Sequence, residues 1–124
     1  MNLGLGAVLT DISTLQNKVN GITFSELLTV AKTKTLTIQR ADTSKLSAYM
    51  ALVGSANDNG KTILIGHFTA DGTPTLVSCR SASGVTIATP ATGKATIKNS
   101  LTVDANLYIK ILVFYGTTLT FSIA

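Results

Sequence analysis

Apolar side chains open the chain at Leu5, Val8, Ile12, Leu15, Val19 and Ile22, alternately three and four residues apart. This is a heptad pattern: Leu5, Ile12 and Val19 form one column, and Val8, Leu15 and Ile22 the other. The spacing predicts a helix over about residues 7–20. Gly4 and Gly6 would each cost about 1 kcal/mol inside it, and Asn20-Gly21 supplies a stop. A stripe this narrow is not buried by its own helix and calls for copies of itself, so the chain is expected to be an oligomer. Six small-to-medium apolar side chains at best offset the ordering of the helix that carries them. The remainder of the chain is therefore expected to associate as well.

From Phe24 onward the period changes from heptad to two. Alternation predicts strands at Thr35–Arg40, Leu46–Val53, Lys61–Thr69, Thr75–Ser81, Val85–Thr89, Ala95–Lys98, Leu107–Phe114 and Thr118–Ile123. Turn residues separate them: Asn57-Asp58-Asn59-Gly60, Asp71-Gly72-Thr73-Pro74, Ser83-Gly84, Pro90 with Gly93, and Tyr115-Gly116. The segment Phe24–Val30 reads equally as a helical turn or a first strand. About eight short strands at this spacing predict an antiparallel β-sandwich or jelly roll. The expected organisation is an anchor and helix over 1–23 and a β domain over 24–124. The run Ile109–Phe114 is apolar on both faces, which predicts a strand in the core on one side and against a neighbouring subunit on the other.

Composition supports the β reading. Of 124 residues 45% are hydrophobic and 13% charged, and Glu26 is the only glutamate, whereas Thr and Ser alternate with Val, Ile and Leu. Met1–Leu9 is apolar but has no basic region before it, and Asp11 ends it too early for a signal peptide or membrane span. No secretion signal or membrane span is expected, nor is an N-x-S/T sequon present. The net charge of +4 raises nucleic-acid binding, but the only arginines are Arg40 and Arg80 and the lysines are scattered singly. Without a basic stripe and stacking aromatics, nucleic acid is not an expected partner.

Candidate chemistry is sparse. Ser55-Ala-Asn-Asp-Asn-Gly-Lys-Thr62 approaches a phosphate-cradling loop, but lacks the leading glycine and runs into a strand instead of a helix. A hairpin turn is expected there. Gly4-Leu5-Gly6 lacks the third glycine and the preceding strand of a dinucleotide fingerprint. His67 is the only histidine and shares a strand face with Ile63 and Ile65, opposite Leu64 and Phe68, which suits a structural or interface role. Three copies of His67 on a trimer axis would be a metal site invisible from one chain. Cys79 is the only cysteine, so there is no intrachain disulfide, and it reads as a small hydrophobe beside Val77 and Ser81. The six acidic residues (Asp11, Glu26, Asp42, Asp58, Asp71 and Asp104) are dispersed, without the pairing of a glycosidase or the spacing of a calcium loop. No catalytic residue, metal ligand or cofactor is expected. Tyr49, Tyr108 and Tyr115 are the candidate surface-binding side chains, because exposed rings serve as platforms for sugars.

A short heptad segment (Leu5–Ile22) followed by a Thr-rich, charge-poor β domain (Phe24–Ala124) resembles small bacteriophage virion appendages: head-fibre and decoration proteins and the knobs of tail fibres, typically homotrimers. The resemblance lies in layout and composition. It implies a non-enzymatic virion protein, made in a host cytoplasm, whose residues 1–6 dock on a capsid or tail protein. The heptad would set the copy number, and the knob would face outward, with a host-surface glycan as a candidate partner. Ile12 with Leu15 by themselves favour two strands, so the trimer comes from the resemblance. Trimeric jelly rolls of the tumour-necrosis-factor and complement-like type share the layout but usually carry secretion signals. A free-standing carbohydrate-binding β-sandwich is the alternative from another class, and an enzyme with its site at subunit interfaces is a third.

Overall fold

The computed structural model describes residues 3–19, 23–41, 46–69, 74–78, 82–116 and 118–124, with side chains described for all of these except 3, 16–19, 23, 76–78 and 115. One helix, α1 (Leu3–Val19), precedes ten strands: β1 (Thr23–Phe24), β2 (Leu28–Val30), β3 (Thr35–Arg40), β4 (Ser47–Gly54), β5 (Thr62–Phe68), β6 (Pro74–Ser78), β7 (Val85–Ala91), β8 (Lys94–Asn99), β9 (Leu107–Gly116) and β10 (Leu119–Ile123). The helix starts at Leu3, about a turn earlier than the glycines predict. Its hydrogen-bond ladder runs through Gly4 and Gly6, and the Gly6 carbonyl accepts a further bond of 3.0 Å from the Thr10 hydroxyl. A propensity cost of about 1 kcal/mol per glycine shifts a helix end but does not forbid it.

Every strand pairing is antiparallel, in two sheets. One sheet has the order β1-β9-β4-β5-β6, with β2 also on β9; the other is β10-β3-β8-β7. The ambiguous segment 24–30 is strand at both ends. Thr23 and Phe24 pair with Val113 and Leu112, and Leu28–Val30 pair with Ile109–Leu107, one residue out of step. Ser25 fills the irregularity. Its N–H donates to the Ile111 carbonyl and its hydroxyl accepts from the Ile111 N–H, both at 2.8 Å, so the β9 backbone stays satisfied through the bulge.

The inward residues of both sheets meet in one apolar cluster. Leu36, Ile38, Ala95, Ile97 and Leu119 come from one sheet; Val30, Tyr49, Ala51, Val53, Leu64, Phe68, Leu107, Ile109 and Ile111 come from the other. Period-two alternation produces this directly: the inward positions Leu36, Ile38 and Arg40 of β3 are buried, and Thr35, Thr37 and Gln39 between them are not.

Arg40 and Asn99 are the two largest of the four polar residues buried among the described ones, the others being Ser47 and Thr62. Arg40, read from sequence as one of two dispersed arginines, is 1% exposed, and its Nη1 donates to the Thr69 carbonyl at 2.6 Å. Asn99, at the inward end of β8, is also 1% exposed and fully used. Its Nδ2 donates to the carbonyls of Val30 (2.9 Å) and Ala105 (2.8 Å), and its Oδ1 accepts from the Leu101 N–H (3.1 Å). Its backbone accepts from Thr33 and donates to Lys34. One side chain thus ties β2, β8 and the 101–106 loop together.

Candidate interaction surface

The outer faces of the two sheets differ in chemistry. On β10-β3-β8-β7 the outward positions are Thr35, Thr37, Gln39, Lys94, Thr96, Lys98, Thr120 and Ser122, a water-facing set. On the other sheet they are Met50, Leu52, Ile63, Ile65, Leu112, Lys110 and Tyr108. Register makes these continuous. Phe24 lies opposite Leu112, Leu112 opposite Met50, and Met50 opposite Ile65, one row across four strands. The next row along is Lys110, Leu52 and Ile63. Leu52, Ile63 and Ile65 remain 46%, 43% and 45% exposed, so the domain's own fold leaves this face open. A contiguous apolar face on a soluble domain marks an interaction surface, whereas single exposed apolar residues do not.

The helix presents a second apolar surface. Leu5, Val8, Ile12 and Leu15 are all exposed, by 47–61%, as is Leu9, which widens the heptad stripe on one side. Every side chain from Gly4 to Leu15 is exposed, so this part of α1 packs on nothing else in the described chain. Val19 and Ile22, the last two positions of the stripe, lie outside the described side chains.

The three tyrosines have separate fates. Tyr49 is fully buried in the core, its ring centroid 5.8 Å from that of Phe68, so the expectation of a surface ring is corrected. It occupies an inward position of β4, opposite Gly66, where alternation points it away from solvent. Burial also pushes its phenol well above the usual tyrosine range. Tyr108 is exposed and lines an open groove of about 440 Å³ with Ala56, Asp104, Ala105 and Asn106. An aromatic ring beside a carboxylate and a carboxamide can stack on a sugar and hydrogen-bond its hydroxyls. The Tyr115 side chain is outside the described residues, and so are Cys79 and its neighbour Ser81.

The remaining candidates have structural settings. The phosphate-loop-like segment folds as a tight turn: Asn57 Oδ1 accepts from the Asn59 N–H at 2.9 Å, and Asp58 holds the Lys61 ammonium at 2.8 Å. Gly60 is buried against Ser55 and Leu107, and the chain enters β5 directly. The turn is a single three-residue 3-10 segment, Asp58–Gly60, followed by a strand, and no α-helix N-terminus faces an anion there. His67 is half-buried on the outward side of β5, paired with Ala48 and Thr75, on the face that sequence alternation assigns to it. Among the described residues, no three of His, Cys, Asp and Glu stand close enough to share a metal ion. No described helix is long and apolar enough to cross a membrane.

Alternation places Ile63 and Ile65 on one face with His67, and the two-sided apolar run Ile109–Phe114 predicts a neighbour on its outer side; the structure joins the two into one open face. The available signal was apolar residues at both parities of β4, β5 and β9, which a one-sided strand does not need. No family model, curated protein or solved structure matches this chain.

Proposed function

We propose that the chain is a non-enzymatic, homo-oligomeric structural and binding protein of a bacteriophage virion, of the head-fibre, decoration or tail-fibre-knob kind. The observation that carries the reading is the pairing of an exposed amphipathic helix with a two-sheet domain that is polar on one outer face and apolar on the other. A chain built this way has two surfaces to hide in copies of itself and one to show to water. In this reading the two sheets form a sandwich or jelly-roll knob, α1 enters a coiled coil of copies, trimeric by analogy, and residues 1–6 dock on a capsid or tail protein. Labelling purified particles with antibody against the β domain tests it. The reading expects regularly spaced label on heads or tails; particles free of the chain, with all of it recovered unattached, would contradict it.

A second reading, a free-standing carbohydrate-binding module, has its own support in the Tyr108 groove with Asp104 and Asn106. The same groove could serve host-glycan adhesion on a virion. A monomer that binds a glycan, and loses it on Tyr108→Ala, would favour the module over the appendage.

A further inference from the structure

We infer that the outer face of the β1-β9-β4-β5-β6 sheet, centred on Met50, Leu52, Ile63 and Ile65, is the main contact between copies of this chain, with the α1 stripe as a second one. The inference rests on the oligomeric reading above and names the surface that performs it.

Size argues first. Strands stand about 4.8 Å apart and outward side chains repeat about every 6.8 Å along each, so four strands and three to four positions give roughly 400 Å² in plan. A 17-residue helix is about 25 Å long and offers roughly 250 Å² along one side. A stable complex hides about 800 Å² per partner. Neither surface reaches that size alone, and the two together approach it. Both surfaces are therefore needed to reach the area of a stable complex, the sheet face supplying the larger share.

Charge argues next. Along the Met50, Leu52, Ile63 and Ile65 rows the only fixed charge is Lys110, at one side, and no carboxylate stands among them. A partner steered by opposite charge would have little to read here, whereas an apolar, charge-poor partner fits. The chain itself carries a surface of that chemistry in this same face, together with an exposed apolar helix stripe. The occupant is a second copy.

The test uses the full chain. Leu52→Lys and Ile65→Lys each place a charge on a position the monomer leaves 46% and 45% exposed. Both should therefore fold, and Ile65→Thr, which keeps a β-branched side chain, serves as a milder variant. Thr96→Lys places the same charge on the polar sheet as a control. Sedimentation velocity over a concentration series, alongside far-UV circular dichroism, gives the dissociation constant and confirms folding. Association should weaken by roughly a hundredfold or more in the two lysine variants, since each combines lost apolar burial with an unpaired buried charge. Ile65→Thr should weaken it by roughly tenfold, and Thr96→Lys should leave it unchanged. An oligomeric parent whose association is untouched by all three face substitutions would overturn the assignment of the face while leaving the oligomer intact. A parent that is monomeric throughout would overturn both.

Discussion

The Tyr49 ring lies across Gly66, its register partner on the neighbouring strand, so closely that a Cβ on Gly66 would collide with Cζ, Cε2 and the hydroxyl of Tyr49. Glycine here makes room for the largest aromatic side chain of the core, and the ring in turn covers a backbone that has no side chain of its own. Gly66→Ala should therefore destabilise the domain by about 3 kcal/mol, the scale of a serious overpacking fault. Thermal unfolding checks this, and pairing it with Tyr49→Leu should restore part of the loss because the clash is gone. A Gly66→Ala melt equal to the parent's would show that the ring moves aside freely.

The same ring carries a pH dependence. The Tyr49 hydroxyl is buried and finds no hydrogen-bond partner among the described residues, and desolvation holds its ionisation above the unfolded value. The neutral phenol is the form the folded state keeps. The contribution is thus fully present below a pH of about 10, the unfolded pKa, and is lost as pH rises above it toward the higher folded value. Tyr49→Phe should remove that alkaline loss and raise stability at neutral pH by about 1 kcal/mol, because an unpartnered hydroxyl is exchanged for hydrogen. Denaturant midpoints of both proteins across the alkaline range give the comparison.

Asn99 should be the least replaceable polar residue of the interior. Asn99→Leu is close in size but strands two carbonyls, Val30 and Ala105, and the Leu101 N–H. A loss of about 3 kcal/mol is expected from two buried groups and one half-buried carbonyl left unpaired. Hydrogen exchange should show the 101–106 loop opening first. A variant with parental stability would mean that solvent reaches these groups.

Removal of residues 1–22 should leave the β domain folded. The described side chains of α1 from Gly4 to Leu15 are exposed, and the core cluster contains no helix residue. Far-UV circular dichroism and a cooperative melt within a few degrees of the full chain are expected, together with weaker self-association. A truncated chain that fails to fold would make the helix part of the core.

Much of the architecture was legible because period-two alternation is a local signal. Thr35–Arg40 is predicted to the residue, and the other seven predicted strands coincide with β4 to β10 apart from end shifts of up to two residues, the predicted end of Thr75–Ser81 lying outside the described residues. Between helical turn and first strand the segment Phe24–Val30 stays open in the sequence, because the pairing of β1 and β2 depends on β9, some eighty residues away, and on the Ser25 hydroxyl standing in at a bulge. Tyr49 was misplaced for a related reason. An aromatic phenol reads equally as a core or a surface residue, and its inward parity on β4 with Ala51 and Val53, opposite Gly66, decides it. Asn99 and Arg40 gave no sequence sign of burial, since their partners are backbone carbonyls that no composition or motif encodes. The open face of Ile63 and Ile65 was half visible. Alternation put them together with His67, but whether the outward side is covered depends on the packing of the whole domain.

Sedimentation equilibrium of the full-length chain, followed across a dilution series, tests the central claim most directly. A self-associating chain has a mass that is an integral multiple of 12.9 kDa, three by analogy, falling toward the single chain only on dilution. A species of 12.9 kDa at every concentration would contradict it.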